Sequence, residues 1–62
     1  MLEDILQEYR ESLRLIQDRI AQLREQKQTE SIVNRIYQLR DVAEELEATI
    51  KEIEKYADHI GD

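Results

Sequence analysis

Apolar residues recur at alternating steps of four and three in two stretches of the chain: Leu2, Leu6, Tyr9, Leu13, Ile16, Ile20 and Leu23, then Ile32, Ile36, Leu39, Ala43, Leu46, Ile50, Ile53, Ala57 and Ile60. This is the spacing of the d and a positions of a heptad, which lie along one face of a helix. Continued beyond Leu23, the first register would place Lys27, Glu30, Asn34 and Tyr37 in the seam. Three of those would bury a charge or an amide. The seam instead restarts at Ile32, two residues late. Continuous coiled coils absorb insertions of four or three residues, so a two-residue slip predicts a broken helix and a reversal of direction.

The predicted fold is therefore all-α: one antiparallel two-helix hairpin, coiled-coil-like, formed by residues 1–62 as a single domain. Helix 1 is expected over about 2–26, with Glu3 and Asp4 in its first turn and Arg24 and Lys27 at its end, the charge order the helix dipole favours. A connection over about 27–30 follows, with Thr29 or Ser31 as N-cap. Helix 2 is expected over about 31–60, starting at Glu30 or Ser31, with His59 as a cation near its C-terminus and Gly61 as a left-handed cap. The connection holds no Gly or Pro, so a single kinked helix of roughly 58 residues is the competing arrangement. In a hairpin, facing positions should have numbers summing to roughly 57–61. That register sets Arg10 against Glu47, Arg14 near Glu44 and Glu45, Glu3 near Lys55, Glu8 near Lys51, Ile5 against Tyr56, and Arg19 near Arg40.

The apolar stripe is wider than a two-stranded seam needs. Val33, Val42 and Tyr56 widen it on the second helix, and Ile5 and Leu15 on the first. A stripe of that width calls for more than one packing neighbour. Ile5, Leu15, Val33, Val42 and Tyr56 are thus the candidate partner or oligomer interface, and the expected assembly is a homodimer forming a four-helix bundle; an unidentified protein partner offering helices would serve equally. No polar residue interrupts the seam, so the buried amide that often sets oligomer state is missing.

Composition sharpens this picture. A chain of 62 residues seldom builds a core worth more than ~3–5 kcal/mol. It has no cysteine and one histidine, so neither disulfides nor a zinc site can supplement that core. The absence of an apolar run long enough to span a bilayer, and the acidic start, point to a soluble, cytoplasmic protein with no membrane association. The formal net charge is −6, concentrated in residues 41–62, where eight acids face two lysines; residues 10–40 carry seven bases against four acids. Such a balance argues against direct nucleic-acid binding, which relies on Lys and Arg neutralising phosphates.

No residues assemble into chemistry. Ser12, Ser31 and His59 lie on different helix segments, so no catalytic residues are assigned. Asp41, Glu44, Glu45 and Glu47 sit off the seam as a solvated face, and the position three before His59 is Tyr56 rather than the Glu of a di-iron bundle, so no metal ligands are assigned either. Tyr9 is the seam aromatic, Tyr37 lies on an outer face, and Arg10, Arg14 and Arg24 read as ion-pair partners within the bundle. No cofactor and no small-molecule ligand are expected.

The runs Glu8 to Leu13 (EYRESL), Ile20 to Gln26 (IAQLREQ) and Glu45 to Ile50 (ELEATI) resemble helical stretches of small uncharacterised coiled-coil proteins found in prophages and mobile elements of Gram-positive bacteria. The resemblance implies a helical hairpin. Some such proteins add a sigma-factor-like helix-turn-helix, which has no counterpart in residues 1–62, and no functional residue is carried over. The Ser-x-x-Leu-Asp signature of the two-helix phosphatases of sporulation regulators is missing. The expected function is a non-enzymatic protein–protein interaction module, self-associating through its apolar face. The alternative is a small acidic regulator that occupies a basic surface of a DNA-binding or transcription protein.

Overall fold

A computed structural model describes the backbone of residues 2–60 and the side chains of residues 2–57. Helix α1 (Leu2–Glu25) and helix α2 (Glu30–Ile60) are the two elements, joined by residues 26–29. They pack along each other in a slab of 50 × 15 × 12 Å. One continuous helix of these residues would be nearly 90 Å long at 1.5 Å per residue, so the chain folds back, and the kinked-rod alternative is set aside.

Every seam residue with a described side chain is buried or half-buried, from Leu2 to Leu23 and from Ile32 to Ala57. Val33 is the one other described residue that is not exposed. The tightest packing lies beside the connection, where Leu23 is only 3% exposed and Ile20 and Ile36 join it, flanked by Ile16, Ile32 and Leu39. No polar or charged side chain is buried among the described residues, as the uninterrupted seam requires. The side chains of Asp58, His59 and Ile60, and Met1, Gly61 and Asp62 altogether, lie outside the described residues. The seam site at Ile60, the cation at His59 and the cap at Gly61 therefore fall outside them too.

The reversal is made without glycine and without a positive φ at any described residue. Helix α1 stops one residue earlier than the expected Gln26, because the Gln26 amide turns back to the Leu23 carbonyl at 3.2 Å and tightens the last turn. Carbonyls at the end of α1 and just beyond it are also met by a side chain: Gln28 Nε2 donates to the carbonyls of Gln26 (2.8 Å), Leu23 (3.2 Å) and Arg24 (3.3 Å). Immediately afterwards Thr29 caps α2. Its Oγ1 accepts from the Ile32 amide at 3.3 Å, and its carbonyl accepts the first intrahelical bond from Val33 at 3.0 Å. Thr29 rather than Ser31 is thus the N-cap.

Both side chains carry expected effects on stability. Thr29→Ala should cost about 1 kcal/mol. Gln28→Glu should cost more, about 1–2 kcal/mol, since it removes the amide donors and aims a carboxylate at three carbonyl oxygens near the negative pole of α1. In a domain of this size each kcal/mol lowers Tm by about 4–8 °C. Thermal melts followed by circular dichroism would show the order wild type, Thr29→Ala, Gln28→Glu. Equal midpoints for wild type and Gln28→Glu would remove the clamp from the account.

The ion pairing across the hairpin differs from the expected one. Arg10 pairs with Glu54 at 3.3 Å, about two turns further along α2 than Glu47, and this is the one ion pair among the described residues. In the same sense Leu6 shares a notch with Ala57, and Arg40 lines a groove with Arg24. The expected pairs of Arg14 with Glu44 or Glu45, Glu3 with Lys55 and Glu8 with Lys51 do not form. The cause is the lean of helical side chains toward the N-terminus of their own helix. Side chains of α1 reach away from the connection and those of α2 reach toward it, so partners carry higher numbers than equal backbone heights imply.

Candidate functional site

A two-helix layer has two broad faces, and heptad geometry distributes this chain's residues unequally between them. The e and b positions of both helices make one face. Its membership is visible in two open depressions: one of about 340 Å³ lined by Gln17, Ala21, Arg24, Arg40, Glu44 and Glu47 around Ile20 and Ala43, and one of about 410 Å³ bounded by Glu3, Gln7, Arg10 and Glu54 over Leu6 and Ala57. The small side chains Ala21, Ala43 and Ala57 create these depressions, because nothing at those heights fills the space between flanking charged side chains. This face carries charges of both signs. Arg24 and Arg40 line its groove near the connection, and Arg10 and Glu54 are paired toward the open end.

The g and c positions make the opposite face. Of the five large apolar side chains exposed among the described residues, four belong here: Ile5 (42% exposed), Leu15 (60%), Val42 (44%) and Tyr56 (68%). None of them lines either depression of the charged face. Ser12 and Thr49 complete the g positions at mid-height. The Thr49 hydroxyl donates to the Glu45 carbonyl one turn back at 2.9 Å, which satisfies its proton within its own helix.

The expected interface residues are thus brought together with one exception. Val33 occupies an e position, on the charged face, and is half-buried. Ile5 and Tyr56 sit at facing g sites but do not seal each other, given their exposure. Tyr37, also 59% exposed, stands on the charged side at a b position. What periodicity alone missed was the functional part of the connection, Gln28. A long amide two residues beyond a helix end is the only signal it offers, and many surface glutamines share it.

Both depressions are shallow and open to solvent, unlike the enclosed apolar pockets that hold small ligands. No group of three or more His, Cys, Asp or Glu side chains that could hold a metal ion occurs among the described residues. No helix in the described residues is long and apolar enough to cross a membrane. Comparison with protein-family models, with curated proteins and with solved structures found no match to this chain. The class defined by fold and surface is a two-helix hairpin with one charged face and one apolar face.

Proposed function

We propose that this protein is a non-enzymatic, self-associating helical module whose active unit is a homodimer of hairpins packed as a four-helix bundle. The observation that carries this reading is the gathering of Ile5, Leu15, Val42 and Tyr56 in water on a single face of the slab. A lone hairpin gains nothing from those side chains, whereas burying one large apolar side chain contributes about 1.5–3 kcal/mol. For a chain whose own core is worth only ~3–5 kcal/mol, that gain decides whether the fold is populated. Association and folding are therefore coupled, and the melting temperature should rise with protein concentration.

Sedimentation equilibrium at micromolar concentration tests the reading. The expected mass is about twice the 7.5 kDa of the chain, with a Tm that climbs on concentration. A folded species that stays monomeric, with a midpoint independent of concentration, would overturn it.

A further inference from the structure

We infer that the apolar face receives a second copy of this chain in antiparallel orientation, the connection end of one hairpin lying over the open end of the other. This inference rests on the homodimer proposed above and adds to it the face and the direction. The charges that border the apolar side chains carry the argument. Toward the connection, the g and c positions hold Arg19 and Arg35 and no acid. Toward the open end they hold Glu8 and Glu52 and, among the described side chains, no base, with Glu45 near mid-height. All of these are exposed, and none takes part in an ion pair among the described residues. Arg19 has only a 3.3 Å bond to Gln22 on its own helix.

A face that is basic at one end and acidic at the other is complementary to itself only when the second copy is turned end for end. A two-fold axis lying across the slab superposes α1 on its antiparallel counterpart and brings Arg19 over the partner's Glu8. The same rotation carries Arg35 toward the partner's acid-rich end and sets Leu15 near the centre, where Ser12 and Thr49 leave room for close approach. A parallel dimer would lay α1 over the partner's α2, setting Glu8 near the partner's Glu52 at one end and Arg19 and Arg35 together with the partner's two arginines at the other. Like charges so juxtaposed oppose association. The e and b face offers no comparable division, because its open half mixes Glu3 and Glu54 with Arg10, Arg14 and Lys51.

The chain contains no cysteine, so single cysteines report direction cleanly. Under mild oxidation a mixture of Glu8→Cys and Arg19→Cys chains should give predominantly the mixed disulfide dimer, with little self-linking of either variant alone. Separately, the double variant Arg19→Glu/Arg35→Glu should weaken the dimer by about tenfold or more, and equimolar addition of Glu8→Arg/Glu52→Arg should restore a heterodimer. Reversal of Arg24 and Arg40 on the opposite face should leave dimerisation unchanged, and circular dichroism should show that each variant remains helical. Linking of Glu8→Cys chains to Glu52→Cys chains, in place of Arg19→Cys chains, would overturn the antiparallel direction. A wild-type dimer that ignores the Arg19/Arg35 reversal would overturn the face, while leaving self-association intact. A wild-type monomer would instead sink the proposed function together with this inference.

Discussion

Replacing Leu23 with alanine is expected to abolish most of the helical signal at 25 °C. Leu23 is the most buried core side chain among the described residues, at 3% exposure, and it sits in the cluster that holds the two helices together beside the connection. Truncating a leucine at such a site costs about 2–5 kcal/mol, through lost transfer energy and a cavity that the surroundings fill only in part. That is comparable with the whole ~3–5 kcal/mol a core of this size supplies. Tyr37→Ala is the matched control, since it removes a large apolar side chain that is 59% exposed and lies away from the apolar face. Its effect should stay within about 0.5 kcal/mol. Far-UV circular dichroism and thermal melts at matched concentration read both variants. A Leu23→Ala protein that keeps its helicity and melts within a few degrees of wild type would show that the core near the connection is not what limits stability.

Deleting Gln28 and Thr29 together is expected to convert the hairpin into a single long helix. The deletion moves Ile32 into the d position that follows from the first seam, so Leu23 and Ile32 then belong to one heptad register. It also removes the Gln28 clamp on the last carbonyls of α1 and the Thr29 cap of α2, the two interactions that close the turn. Lys27 would then occupy a single a site, a substitution that coiled coils accept at some loss of stability. Small-angle scattering distinguishes the forms directly. The hairpin slab is 50 Å long, whereas an unbroken helix of the remaining residues should reach about 85 Å. A deletion variant that keeps the compact dimension would mean that the phase slip is incidental and that some other feature turns the chain.

How far such a chain can be understood before its coordinates are seen depends on which physical effect sets each feature. Seam membership is set by burial alone, and burial has a period, so Leu2 to Leu23 and Ile32 to Ala57 were legible residue by residue. The reversal was legible for the same reason, because only one continuation of the first seam is possible and Lys27, Glu30 and Asn34 do not fit it. Direction-dependent features were not. The Arg10 to Glu54 pairing depends on side chains leaning toward the N-terminus of each helix, a vector that a pattern of letters does not display. The Gln28 clamp depends on three carbonyls converging at the end of α1, which exist as acceptors only once the helix has stopped. Val33 shows the same limitation on the surface. Its place beside the seam was evident, yet which of the two broad faces it joins follows from how the helices turn toward each other.

The candidate interface divides in a similar way. Ile5, Leu15, Val42 and Tyr56 could be picked out as excess apolar residues, but their convergence on one side of the slab requires both helices in register. The segregation of Arg19 and Arg35 from Glu8 and Glu52 becomes meaningful only after that convergence, since in the linear chain these residues are scattered among others of either sign.

The connection stores its instructions in functional groups instead of in backbone shape. No described residue there demands a left-handed conformation, so Gln26 and Lys27 are free to drift in identity without strain. Two neighbouring side chains hold the corner, an amide that gives protons to the outgoing helix and a hydroxyl oxygen that takes one from the incoming helix. A corner secured by chemistry in this manner can be loosened by changing a handful of atoms and tightened again by restoring them.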